Sequence, residues 1–499
     1  MNVPVTLEQW ATRAAGLALD GRPFHDGQRV QPLATETFAV SHARSGGTLA
    51  TLADCGHADV DRAVANARMA FESGSWSGLA ASERAAVLRK FAGLIGQHAE
   101  ELGLLDTLQM GMPISASVPG MAMAVEIVNE VADLADKNTD QLFPSASTAL
   151  AMNVRRPYGV VAAITPWNFP THVALQKVVP ALAMGNSVLL KPSENAPLAC
   201  LRLADLAFEA GVPAGVFNAL PGLGASTGKA LALHRDVDCM AFTGSTATGL
   251  MLMQYAGQSN MKSLRLECGG KSPQVVFDDV GDIESLADSL VQGFTWNSGQ
   301  VCVTGSRILV ADALYERLTG LLAERVSALA TGDPLDPSTM LGPLVNTQQH
   351  ARVSGMIAAS LPTERLLASG DARHGGANAV APHLYAASDN GSPLVQEEVF
   401  GPVAAVMRFS DEAQALALAN GTRYGLSGTI WTSSFAQGHR FARNLRAGFI
   451  TVQHVAHPAP PMVRYLGAEP AGLSGFGADG GLPGLLAYTR LSGVTHLLG

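Results

Sequence analysis

Between residues 159 and 243, short apolar runs alternate with longer stretches of helical spacing. Gly159-Val-Val-Ala-Ala-Ile164, Asn186-Ser-Val-Leu-Leu190, Val216–Leu220 and Cys239–Thr243 read as strands buried on both faces. Ala174–Met184, Ala196–Ala210 and Ala225–His234 read as the helices between them, and Gly211-Val-Pro213 gives the second an ordinary exit. Strands of this kind alternating with helices predict a parallel, doubly wound α/β sheet. A second α/β block starts near Ser263. It contains strands at Gln274–Phe277 and Arg307–Val310, and helices at Ile283–Trp296 and Ala313–Ala330. Residues 331–346, with Gly332-Asp-Pro334, Asp336-Pro337 and Gly342-Pro343, predict a turn-rich connection. A long amphipathic helix is expected over 120–138, an extended arm over 147–156 and an apolar tail over 482–498.

Composition narrows the function classes. The chain has 499 residues, 47% hydrophobic and 15% charged, enough for two or three cored domains. A net charge of −9 without dense Lys/Arg runs argues against nucleic acid, whose phosphates need clustered cations, and against anionic membrane surfaces. The five cysteines are odd in number and show no C-x-x-C spacing, so neither a disulfide framework nor a structural metal site is expected, and a reducing cytoplasm fits. No basic segment followed by an apolar one opens the sequence, and no run of eighteen apolar residues occurs; Gln176, Lys177, Pro180 and Gly185-Asn186 break the nearest one.

Three motifs carry chemistry. Cys302 lies in the polar loop Asn297-Ser-Gly-Gln-Val-Cys-Val-Thr-Gly-Ser306, between a helix and a strand, where a thiolate can face a cleft. Cys55, Cys200, Cys239 and Cys268 read as small buried hydrophobes. Glu267 ends the strand-like Ser263–Leu266 and precedes Cys268-Gly-Gly270; alone it would be a solvated strand-end glutamate, but beside a nucleophile it is the general base. Asn168, in Thr165-Pro-Trp-Asn-Phe-Pro170, follows a buried strand and offers an amide to a developing oxyanion. Nucleophile, donor and base together match the conversion of an aldehyde to an acid through a thioester.

Cofactor signals are weaker one by one. Pro221-Gly-Leu-Gly-Ala-Ser-Thr-Gly228 follows a strand but lacks the G-x-G-x-x-G spacing. Phe242-Thr-Gly-Ser245 can turn backbone N–H groups toward a phosphate. Glu194, in Lys191-Pro-Ser-Glu194, can accept from ribose hydroxyls and would repel a 2′-phosphate, which favours NAD over NADP. Glu398, in Gln396-Glu-Glu-Val-Phe-Gly-Pro-Val403, is the candidate for a second ribose.

Taken in order, these motifs, together with Glu267-Cys-Gly-Gly-Lys-Ser-Pro273 and Gly299-Gln-Val-Cys302, resemble the aldehyde dehydrogenase superfamily from about residue 20 to 498. The resemblance implies a Rossmann-like NAD(P)-binding domain (1–140 and 158–262), a second α/β catalytic domain (263–460) and a small β oligomerisation element (141–157 and 483–499). It implies Cys302 as nucleophile, Glu267 as base, and Asn168 with the Cys302 N–H as the oxyanion hole. It places Lys191 and Glu194 at the adenosine ribose, Ser245 at the pyrophosphate, Glu398 and Phe400 at the nicotinamide ribose, and Trp167, Gly224, Gly244 and Gly269 against the cofactor. It further implies a homodimer or homotetramer.

Several positions depart from the family pattern. Cys268 replaces the usual Leu, the stretch Pro461–Pro470 is longer than usual, and Leu482 stands where many members have a glutamate, which puts an auxiliary water relay in question. The substrate-pocket candidates Phe169, Val173, Gln176, Trp296, Val301 and Val303 and the loop 454–464 are mostly apolar, with Arg464 the one obvious cationic anchor. They lead to the expectation of a hydrophobic aldehyde of medium or bulky size. The alternatives are a semialdehyde held by its carboxylate, transfer to coenzyme A, or cysteine acyl transfer without a redox step.

Overall fold

Alternate side chains of the strand Val160–Ile164 enter two different cores. Val161 and Ala163 pack with Val188, Leu190 and Ala241 on one face, and Val160, Ala162 and Ile164 pack with Leu189, Met240 and Phe242 on the other. This is why these runs are apolar throughout rather than alternating. The computed structural model describes residues 6–454 and 466–498. In it Phe217–Ala219, Ser187–Lys191, Val160–Ile164, Cys239–Thr243 and Ser263–Glu267 lie side by side in that order, all parallel. A hairpin, Phe24–His25 with Gln28–Arg29, closes one edge, and the antiparallel pair Gly475–Phe476 closes the other.

The second sheet runs Arg365–Ser369, His383–Ala386, Val403–Phe409, Arg307–Ala311, Pro273–Val276, Ser427–Trp431 and Phe449–Gln453, parallel except for its first strand. It too is covered on both faces: Val275 and Leu309 point to one core, Val276 and Ile308 to the other. A third sheet of three antiparallel strands joins Gln141–Phe143, Ala149–Pro157 and Thr489–Leu497.

Differences from the expected elements are local. The long helix starts earlier, spanning Ile114–Leu134 with Pro119 inside it, and a short 3₁₀ turn, Ala135–Lys137, follows. The expected helix 225–234 opens as a π-type turn, Gly224–Gly228, before Lys229–Leu233 becomes α-helical. The tail opens with the helix Gly481–Leu486, and Thr489–Leu497 then pairs with the arm. Residues 331–346 form only isolated bridges, as the turn signals predict. Among the described residues no helix is long and apolar enough to cross a membrane.

Candidate functional site

The parallel strands of the first sheet place their following loops on one edge. Chain order runs outward from Val160–Ile164 through Ser187–Lys191 to Phe217–Ala219, then returns to the opposite side with Cys239–Thr243. The crevice at such a reversal, outside the carboxyl ends of the strands, is where open α/β sheets bind ligands. Asn168, Lys191, Glu194, Gly244, Ser245 and Glu267 all follow or end those strands.

The second sheet brings Cys302 to that edge through a kink. Asn297, Ser298 and Gly299 occupy the left-handed region in succession, at φ of 50°, 55° and 70°. Side chains hold the strained turn: Asn297 Nδ2 donates to the Asn168 carbonyl at 2.9 Å, and Ser298 Oγ donates to the Gly342 carbonyl at 2.7 Å. In return, Asn168 Nδ2 donates to the Gln300 carbonyl at 2.8 Å, two residues before Cys302. The two asparagines thus tie the loops of both sheets together. An amide nitrogen carries two protons, so Asn168 keeps one after satisfying Gln300.

Cys302, Glu267, Val303 and Gln176 line one cavity of about 330 Å³. Ile127, Val131 and Leu134 form one wall from a single face of the Ile114–Leu134 helix, and Phe449 and Leu466 stand among the other lining residues. Cys302 keeps partial solvent access, but the surrounding protein and the nearby Glu398 and Glu267 carboxyls push its thiol up to about 12. Burial raises Glu267 to about 8; Lys177 opposes that rise, and Asp479 and Glu469 add to it. The remaining cysteines are buried, as expected, and burial raises the pKa of each.

Lys177 is one residue that sequence reasoning missed. In the sequence it stands only as an interruption of an apolar run, yet it is buried, and its Nζ donates to Asp479 Oδ2 at 2.7 Å. Burial disfavours its charge, but Asp479, Glu267 and Cys302 overrule that and hold its pKa above the ordinary lysine value. Leu482 packs against the core, so the carboxylate beside Lys177 is Asp479 instead. The acidic wall residues Glu130 and Asp479 were also missed.

Of the other pocket candidates, Val301 is buried, and Phe169 sits between the rings of His172 and Trp296, at 6.1 and 5.1 Å. Trp296 faces a separate cavity of about 530 Å³, and Val173 is outside the lining of the Cys302 cavity. Arg464 and nearly all of the loop 454–464 lie outside the described residues.

The cofactor candidates fall into groups along the crevice. Lys191 is buried and donates to Glu194 at 3.1 Å, and Ser245 caps the Thr246–Gln258 helix. Gly244 donates to the Glu267 carbonyl at 3.0 Å, and Gly224 opens the π turn beside open space. At the far end the Gly270 N–H donates to Glu398 at 3.0 Å, and Trp167 meets Phe400 edge-on at 5.2 Å. A Cβ added at Gly269 would lie 2.5 Å from the Glu398 carboxylate, so any larger residue there would displace that side chain.

Residues 30–494 match the model of the family described as "Aldehyde dehydrogenase family". The chain belongs to that family. Its relatives include the NADP/NAD-dependent aldehyde dehydrogenase PuuC of Escherichia coli K12, 41% identical over 98% of both chains. The aminoacetaldehyde dehydrogenase of Pseudomonas aeruginosa is 41% identical over 91% of each. Among solved structures, the indole-3-acetaldehyde dehydrogenase AldA of P. syringae, in complex with NAD+, superposes with a TM-score of 0.96 at 42% identity, covering 99% of this chain and all of that one. This aldehyde dehydrogenase therefore shares the α/β fold of those enzymes.

Proposed function

We propose that this aldehyde dehydrogenase oxidises an aldehyde to its carboxylic acid with NAD+, through a thioester on Cys302. The observation that carries the reading is the Asn168–Gln300 hydrogen bond, which locks an amide donor two residues from a cysteine in a cavity shared with Glu267. A thiol near 12 is almost wholly protonated at neutral pH, so attack on the carbonyl needs a base, and the Glu267 carboxylate takes the proton. The free Asn168 N–H and the Cys302 backbone N–H receive the oxygen as it gains charge, a donor set worth about 3 kcal/mol per member. NAD+ supplies a hydride acceptor when bound. Once Glu267 has returned the first proton to solvent, its carboxylate takes a proton from water as the water oxygen attacks the thioester carbon; the carbon–sulfur bond breaks, the acid is released, and the leaving sulfur takes a proton to become the thiol again. Because that base is present, hydrolysis is favoured over transfer to coenzyme A.

The residues present fit a dinucleotide. Lys191 and Glu194 would hold the adenosine ribose, Ser245 with Gly244 and Gly224 the pyrophosphate, and Glu398, Phe400, Trp167 and Gly269 the nicotinamide end. The Glu194 carboxylate supports NAD over NADP. We assign 1–140 and 158–262 to cofactor binding, 263–460 to catalysis, and 141–157 with 483–499 to assembly as a dimer or tetramer. The edge strand Thr489–Leu497, with Leu491 and Leu497 exposed, supports the last assignment. Unpaired cysteines throughout the described residues support the cytoplasm.

The apolar wall of Ile127, Val131, Leu134, Phe449 and Leu466 supports a hydrophobic aldehyde. A second reading, an aldehyde with a cationic end, is favoured by the Glu130 carboxyl in the same lining and by the aminoacetaldehyde relative. Comparing kcat/KM for aromatic, aminoalkyl and carboxylated aldehydes separates these. The chemistry is tested by Glu267→Gln: one rapid turnover of NADH followed by a slow steady state is expected, and normal turnover would refute the assigned base.

A further inference from the structure

We propose that Asp54 is a positioning residue for NAD+, holding the turn at 223–228 in the shape that receives the cofactor. The inference rests on the placement of Gly224 against the cofactor given above. Asp54 comes from outside the sheet that builds the crevice. It follows the strand Thr48–Ala53, which pairs with Thr37–Ser41 in a two-stranded sheet of its own, and it precedes the helix His57–Glu72. Its Oδ1 nevertheless accepts the backbone N–H of Leu223 at 2.8 Å and the hydroxyl of Ser226. Two further bonds tie the same segments together. The Cys55 N–H donates to the Pro221 carbonyl at 3.3 Å, and the buried Thr227 hydroxyl donates to the Cys55 carbonyl.

The turn held in this way has a rare shape. Gly224–Gly228 is a π-type turn, a wide geometry found frequently at functional sites. Leu223, at its N-cap position, supplies no side-chain bond, and the Asp54 carboxylate stands in for the missing cap. Gly222 enters the turn at φ +149°, and a Cβ there would lie 1.8 Å from the Thr227 hydroxyl oxygen, so no larger residue fits that path.

The same turn meets both the ribose candidate and open space. A Cβ at Gly228 would lie 3.9 Å from Cδ of the buried Lys191, whereas a Cβ at Gly224 would meet nothing within 4 Å. Stability alone would be served by a capping side chain at residue 223 itself, on an ordinary α-turn. A carboxylate brought from a separate sheet to a wide, glycine-lined turn does something else: it fixes in advance a backbone that a ligand approaches closely, which lowers the ordering cost of binding.

The test measures binding of ADP-ribose, the cofactor without its nicotinamide, by displacement of fluorescent NADH, together with steady-state kinetics in NAD+. In the full enzyme Asp54→Ala is expected to raise the Kd for ADP-ribose and the KM for NAD+ roughly tenfold, the rise that follows if the freed turn keeps the bound shape about a tenth of the time. At saturating NAD+, kcat and the KM for the aldehyde are expected within about twofold of wild type, because the groups around the carbonyl are untouched. Asp54→Asn, which keeps an oxygen for both donors, is expected to recover most of the affinity. Unchanged affinity in Asp54→Ala, a loss of kcat that matches the loss of affinity, or no recovery in Asp54→Asn would overturn the proposal. If Asp54→Ala does not fold, Thr227→Val, which deletes the tie to Cys55 at nearly constant volume, decides the question. A rise in the ADP-ribose Kd of about threefold or more with kcat retained supports the positioning role, and an unchanged Kd overturns it. Gly224→Leu separates this inference from the reading beneath it, because the new side chain enters open space and crowds the ligand rather than the fold. Weak ADP-ribose binding by Gly224→Leu beside normal binding by Asp54→Ala defeats this inference alone. Normal binding by Gly224→Leu removes Gly224 from the cofactor site, and this inference with it.

Discussion

The pH dependence of thioester hydrolysis tests the charge cluster around Glu267. Burial brings this carboxyl from its ordinary 4.5 up to about 8, Lys177 limits the rise, and Asp479 and Glu469 add to it. A group with that pKa is ionised in about one molecule in ten at pH 7 and about nine in ten at pH 9. Only the carboxylate can take a proton from water, so hydrolysis should rise roughly tenfold between those pH values, with its midpoint near 8. Replacing Lys177 with Met keeps an unbranched stem in a buried site and deletes the cation. It also leaves the Asp479 carboxylate without its partner. Both effects disfavour a charged Glu267. An opposite charge at close range is worth about one to three pKa units, so the midpoint should move alkaline by at least about one unit and hydrolysis at pH 7 should fall tenfold or more. Stopped-flow fluorescence of NADH separates the steps: the burst reports thioester formation, and the linear phase reports hydrolysis when that step limits. A linear phase that titrates near the ordinary glutamate value, or a midpoint indifferent to Lys177→Met, would refute the assigned cluster.

Asn168→Ala removes both the proposed oxyanion donor and the bond to Gln300 that holds the Cys302 loop, so kcat should drop about 10²- to 10³-fold, read by steady-state kinetics. Glu194→Gln removes the charge that would repel a 2′-phosphate while keeping an oxygen near Lys191, and the kcat/KM ratio of NADP to NAD should rise about tenfold. Gly475→Ala should destabilise the enzyme by about 3 kcal/mol or more, measured as a lower Tm and as lost activity. Residue 475 sits at φ +110°, its added Cβ would fall 1.9 Å from the Leu266 carbonyl oxygen, and it pairs directly with Glu267.

What the sequence reveals and what it hides divide along physical lines. The strands of the first sheet are legible because both faces are buried, which leaves uninterrupted apolar runs along the chain. Cys302, Glu267 and Asn168 are legible as candidates because Glu267 ends a strand and the other two lie in loops among turn residues, where a side chain is free to face a cleft. Where Trp296 and Val301 face is not legible in the sequence, because Asn297, Ser298 and Gly299 all turn left-handed, and the facing of side chains before such a kink says nothing about those after it. Lys177 is hidden for a different reason. One charge in an apolar helix looks like a break in the pattern, and only a partner distant in sequence makes its burial tolerable. That partner arrives because Gly475–Phe476 adds an antiparallel edge beside Ser263–Glu267, and the chain reaches Asp479 three residues later. The strand pairing that seats Gly475 opposite Glu267 therefore also sets how far the lysine can lower the pKa of the base. Loosening this edge should shift the titration of Glu267 before it unfolds the sheet.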